Sequence, residues 1–256
     1  MALMDEFKEE REQIKNAPFK KRLEYFWDYN KVRVIIAASL VVMFTSIFYH
    51  IITQKDTVLY VAMVDCLQED TLAAEYEANL TEVLGVNTKK EKVLLDASFL
   101  VSSSSSMGDT SLTDALAVRI ATGEIDAFLS GEAFFSAYTL SDVFMDLRTV
   151  LSPEDIAYYE SSFYYLDYAI IESAFANDSS ANQDEDLATY LLEVQPRNPE
   201  TMKNPIPVGI YVTPTDEFQA AYKFTPNEDI VFGVIYNHYD IENIITFLDR
   251  MTGRDA

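Results

Sequence analysis

The nineteen residues from Val34 to Ile52 form an unbroken uncharged run, VIIAASLVVMFTSIFYHII. At about 1.5 Å of rise per residue, a helix of that length nearly spans a ~30 Å hydrocarbon core. A buried helix of a soluble domain would show a polar face. Here only Ser39, Thr45 and Ser46 interrupt the run, and such hydroxyls can bond back to the preceding turn. The segment predicts one transmembrane helix over residues 33–53. Its flanks give a direction. Six basic residues lie from Lys15 to Arg33 against Glu24 and Asp28, whereas beyond the run Lys55 is the only basic residue before Lys89. The positive-inside rule then keeps residues 1–32 in the cytoplasm, as a basic amphipathic segment along the inner leaflet. Tyr25, Phe26, Trp27 and Tyr29 supply an interfacial aromatic belt. A cleaved signal peptide would have a shorter apolar core and a small-x-small site. Instead bulky Phe48, Tyr49, His50 and Ile51 close the run, and Cys66 lies too far beyond it for a lipobox. The expected localisation is therefore the cell membrane, single-pass, with the lipid bilayer as one partner and residues 57–256 forming an extracytoplasmic domain.

That domain carries the charge. The chain holds 19 basic and 42 acidic residues, and residues 1–33 take eight of the former and seven of the latter. The remaining 11 basic and 35 acidic residues make the outer part repel phosphate backbones, which excludes nucleic acid as a partner. One cysteine, Cys66, rules out an intrachain disulfide, so the fold must rest on its apolar core.

Apolar periodicity alternates between strand and helix. Strands are expected at Leu59–Asp65, Lys92–Ala97, Ile125–Leu129, Val143–Leu147, Ser162–Ile171, Val208–Val212 and Ile230–Tyr236. Helices are expected at Glu69–Leu84, from Asp109 to Thr122, near Gly131–Tyr138, from Ser152-Pro153, at Leu187–Val194 and at Ile241–Met251. Ser102–Ser106, Asn177–Asp186 and the proline-bearing Gln195–Pro207 read as irregular. The pattern predicts an α/β fold, a mostly parallel sheet with helices on both faces, with room for a second subdomain over about residues 150–206.

Catalytic signals are weak. Only His50 and His238 are available as bases, no Gly-x-Ser-x-Gly occurs, and seven glycines leave no phosphate-cradling loop. Asn182, Asp184, Asp186 and Glu193 have EF-hand-like spacing, but Leu187 stands where the turn needs glycine, and the stretch reads equally as an acidic helix start. No metal, cofactor or enzymatic activity is expected. In open α/β sheets ligands bind outside the carboxyl ends of strands. The candidate ligand-binding residues there are Asp65, Ser98, Ser130, Glu132, Asn237 and His238.

Several segments together carry a family likeness: VLYVAMVD at 58–65, ALAVRIATGEIDAFLS at 115–130, FFSAYTLSDVFMDLRTVLSPED at 134–155 and VFGVIYNHYDIENIITFLDRM at 231–251. Their order resembles the extracellular solute-binding, type II periplasmic-binding-protein-like families. The block around Lys20, Lys21, Glu24, Tyr25, Phe26, Trp27, Asp28, Tyr29 and Lys31 resembles membrane-anchored proteins of Gram-positive (Clostridia-type) anaerobes. The resemblance covers about residues 20–65, 112–155 and 206–252. It implies a reduced binding-protein fold and a non-catalytic domain that takes a small solute or a peptide. The alternative is a structural or regulatory accessory that has a membrane-complex partner and no small ligand.

Overall fold

A computed structural model describes residues 18–100, 110–176, 195–224, 228–236 and 241–254. The chain divides into two units, one ending at Gln54 and one beginning at Lys55. The first is α1, a continuous helix Phe19–Thr53 entered from Pro18. Within it Asn30–His50 is long and apolar enough to be a membrane span or a signal sequence. The Thr45 and Thr53 hydroxyls donate to the Val41 and Tyr49 carbonyls at 2.7 and 2.6 Å, so neither polar group is left bare on an apolar helix.

The second unit is a six-stranded sheet with helices on both faces, in the spatial order β3-β1-β4-β8-β6-β5. Its strands are β1 Asp56–Val64, β3 Glu91–Phe99, β4 Ala127–Gly131, β5 Phe163–Asp167, β6 Pro205–Val212 and β8 Ile230–Val234. A two-stranded ribbon joins β2 Cys66–Gln68 to β7 Tyr222–Phe224. β1 is buried from Leu59 to Val64 because it is sandwiched twice. Leu59, Val61 and Met63 point into one apolar cluster, and Tyr60, Ala62 and Val64 point into the other. The first cluster takes α2 Asp70–Val83 through Ala73, Tyr76 and Leu80, α8 Asp216–Ala221 through Phe218, and α9 Ile241–Thr252 through Ile244, Phe247, Leu248 and Met251. The second takes α3 Thr110–Ala121 through Leu116 and Ile120, α4 Glu132–Thr139 through Phe135, and α7 Tyr168–Ala176 through Ile171. Two-sided burial explains why β1 reads as an unbroken apolar run rather than an alternation.

Strands β1, β3, β4 and β6 run one way, so the sheet is mostly parallel in direction. β8 and β5 run against them: β8 pairs antiparallel with both β4 and β6, and β5 pairs antiparallel with β6. Close packing supports the centre. The Phe135 ring is fully buried and stacks on Phe144 with centroids 4.4 Å apart. It fits because Gly209 of β6 and Gly233 of β8 have no side chain; a Cβ on either would lie 2.7 to 2.9 Å from ring carbons of Phe135.

Three local expectations change. The strand expected over Val143–Leu147 is a single bridge, Phe144 to Ile235, after which Asp146 caps the short helix α5 Leu147–Val150. The strand expected through Ile171 stops at Asp167, whose carboxylate accepts from the Lys203, Asn204 and Ala169 amides at 3.0, 2.9 and 3.3 Å and turns the chain into α7. The irregular stretch expected to Pro207 becomes β6 from Pro205 on, where the strand pairs only with β5 and the missing proline N–H groups cost nothing on the other side. As expected, Ser152 opens a helix, α6 Pro153–Tyr159, through a capping box with Asp155. The expected helix at Leu187–Val194, the serine run and the EF-hand-like spacing lie outside the described residues.

Candidate functional site

The carboxyl ends of β1, β3, β4 and β6 share one edge of the sheet, and four of the expected ligand residues sit there. Asp65 follows β1 in a left-handed turn (φ 53°) and is buried, with its N–H donating to the Phe99 carbonyl. Ser98 is exposed on β3 and its N–H donates to Asp96. Ser130 is fully buried, and its hydroxyl donates to the adjacent Gly131 carbonyl. Glu132 opens α4 and accepts the Tyr211 hydroxyl at 2.8 Å. Asn237 and His238 lie outside the described residues. They follow β8, and because β8 is antiparallel it leaves the sheet at the amino end of β4, the edge away from Ser130.

Groups the sequence reading had not singled out complete the carboxyl edge. Arg197 lies over the Tyr211 ring, 3.5 Å from its centroid, and pairs with Asp229. Glu228 accepts from the Ala133 amide at the start of α4. Burial, and then the Glu132 carboxylate, push the Tyr211 phenol well above its usual pKa, which keeps it a donor. A cavity of about 460 Å³ remains between Glu132, Ser136 and Asp229. Its charged groups largely satisfy one another: cation on ring and carboxylate, phenol on carboxylate, carboxylate on helix amide.

The opposite, amino edge is built differently. Between the segment after α4, α5 and the ends of β5, β6 and β8 lies a cleft of about 430 Å³. Phe144, Leu166, Ile206 and Val208 form its apolar floor; Asp142, Asp146, Thr149 and Tyr168 form its rim, and the ring of Tyr236 stands exposed beside it. Asp142 is exposed in a left-handed turn (φ 52°) and accepts the Tyr168 hydroxyl at 3.2 Å. Burial, and then Asp142, raise the pKa of the Tyr168 phenol. Both oxygens of Asp146 are held by Arg148 at 2.7 to 3.1 Å. An apolar floor with a few convergent polar groups and this volume is the usual makeup of a small-molecule site. Only the topology reveals it: within TLSDVFMDL at 139–147 the sequence predicts a strand over Val143–Leu147, and nothing in it signals a turn that faces β5 and β6.

Among the described residues no three His, Cys, Asp or Glu side chains are grouped to hold a metal ion. Cys66 is buried, which pushes its thiol up to about 12.

No protein-family model matches the chain, and no curated protein matches it. Among solved structures, an ABC substrate-binding protein from Listeria monocytogenes in complex with cycloalternan aligns at 15% identity and a TM-score of 0.25, over 55% of this chain and 39% of that one. The chain thus spans well under half the length of that protein, and the fold described above rests on strand order and register.

Proposed function

We propose that this protein is a membrane-anchored, non-catalytic binding protein whose ligand site is the amino-edge cleft. The observation that carries the reading is the cleft itself, an apolar floor of Phe144, Leu166 and Val208 under a polar rim, open to solvent and of ligand size. The carboxyl edge, where the topology rule directs attention first, supports it by contrast, since its charged groups are largely engaged with one another. The anchor is α1, with the basic, aromatic-flanked end on the cytoplasmic side and the α/β unit outside the cell. The uninterrupted helix across Asn30–His50 supports that arrangement.

Two experiments test this. Protease added to intact spheroplasts should degrade the α/β unit; a shielded C-terminal unit overturns the orientation. Purified full-length protein in detergent should melt at higher temperature with at least one member of a panel of amines, amino acids, sugars and short peptides. Silence across the panel defeats the ligand-binding reading and leaves a structural accessory of a membrane complex.

A further inference from the structure

From the hydrogen-bond bookkeeping of the amino-edge cleft we infer that its ligand is an organic cation, an ammonium group on a compact apolar body. The inference rests on the reading that this cleft binds a ligand, and it names the class.

Among the described residues, the donors around the cleft are spent apart from the hydroxyl of the exposed Tyr236. The hydroxyls of Thr139 and Thr149 donate to the Ser136 and Asp146 carbonyls of their own helical turns, each at 2.7 Å. The Tyr168 hydroxyl donates to Asp142. The backbone amides of Asp142, Met145, Thr149, Tyr168 and Tyr236 donate to Thr139, Val234, Asp146, Asn204 and Val143. What these groups still offer is acceptor capacity: the free lone pairs of the hydroxyls and the carboxylate of Asp142. A bound carboxylate, phosphate or sulfate would find no donor among them and would face a carboxylate instead.

Charge points the same way. Among the described residues lining the cleft there are two acids, Asp142 and Asp146, and no base. Arg148 neutralises Asp146 with a doubly bonded pair. Among the described residues the partner of Asp142 is the neutral Tyr168 phenol and no cation pairs with it, in a chain whose net charge is -23. The Tyr168 and Tyr236 rings add faces that attract a cation. Below them Leu166, Ile206 and Val208 offer surface suited to a hydrocarbon or aryl body. A hydrated metal ion would waste that floor, and a neutral sugar would leave the rim charge unmet.

The test uses full-length protein in detergent and three probes of one shape: phenethylamine, 2-phenylethanol and 3-phenylpropionate, with affinities from calorimetric titration. The amine should bind about tenfold or more tighter than the alcohol, and the carboxylate most weakly, an ordering that added salt compresses. Asp142→Asn should abolish the amine's advantage and leave alcohol binding unchanged. Asparagine tolerates the left-handed turn, so the variant should fold. Tyr168→Phe frees Asp142 and keeps the ring, and should bind the amine at least as tightly as the wild-type protein. Equal affinities for all three probes, or carboxylate binding tightest, overturns the cation assignment while the cleft remains a binding site. An amine preference that survives Asp142→Asn overturns the placement at this rim. No binding of any probe overturns the cation class, and the wider panel of amines, amino acids, sugars and peptides then decides the cleft reading separately.

Discussion

Gly233→Ala tests whether the centre of the sheet is as tightly fitted as its distances imply. The new Cβ would lie 2.8 Å from Phe135 Cε2 and from Phe144 Cδ1. Carbon atoms pack at about 3.5–4.0 Å, so one ring must move by roughly 0.7 Å or more. Phe135 has nowhere to go. It is fully buried, Gly209 presses the other side of its tip, Phe144 stacks on it and Tyr164 meets it edge-on at 5.1 Å. Overpacking of this kind costs about 1–3 kcal/mol. Against it stands the ~0.4–1 kcal/mol that alanine usually contributes by restricting the unfolded chain. The net is a loss of about 1–2 kcal/mol, which for a unit of roughly 200 residues is a fall in Tm of about 2–8 °C. Thermal unfolding of full-length protein should be followed by tyrosine fluorescence, because the single tryptophan, Trp27, lies on α1 and reports on the other unit. Combining Gly233→Ala with Phe135→Leu should cost at least ~0.5 kcal/mol less than the sum of the single changes. A variant that melts at or above the wild-type temperature, or strict additivity in the double variant, refutes the slot.

Other perturbations probe the periphery of the core. Arg254 joins α6 to α9: it pairs with Asp155 and Asp249, and its guanidinium lies 4.7 Å from the Tyr158 ring centroid. Arg254→Ala leaves two largely buried carboxylates without their cation and should destabilise the unit by about 3 kcal/mol, read as a shifted urea midpoint at unchanged slope. Acid should act through the same carboxylate. Burial raises the Asp155 pKa, but hydrogen bonds from Ser152 and Arg254 outweigh it and hold the carboxyl below its ordinary value. Its stabilisation is therefore complete above about pH 4 and is lost as pH falls through the lower folded-state value, so Asp155→Asn should flatten the acid limb of the Tm–pH profile. Cys66, buried and with its thiol pushed up to about 12, should react with a disulfide reagent at neutral pH only as fast as the unit opens, and promptly in urea.

The sequence made some of this legible and hid the rest for identifiable reasons. β1 was readable because double-sided burial turns Leu59–Val64 into a continuous apolar run. α6 was readable because Ser152, Pro153 and Asp155 spell a helix start. Strand direction was not readable. Periodicity reports which faces are buried and is blind to orientation, so it could not show that β8 runs antiparallel to both of its neighbours. Proline misled at β6, since the signal that ends a central strand is harmless where the strand has one partner. The amino-edge cleft escaped notice because its rim and its floor come from segments far apart in the chain, Asp142 and Thr149 on one side, Leu166, Ile206 and Val208 on the other. Arg197 escaped because its anchor, the Tyr211 ring, comes from another element.

The position of β8 also bears on the order of assembly. Among the described residues it is the last strand in sequence, yet it fills the middle of the sheet, pairing Val234 with Ala127 across more than a hundred residues. β3, β1 and β4 can associate through their own crossovers, and β5 and β6 can pair with each other, but neither half has a closed sheet until 230–234 arrives. During synthesis the inner edges of β4 and β6 therefore stand as open templates, each able to accept a foreign strand. Closure waits for a pairing of high contact order, the slow kind of step in sheet formation. The time spent with two half-sheets exposed, rather than the strength of the finished core, then sets how readily this chain misassembles.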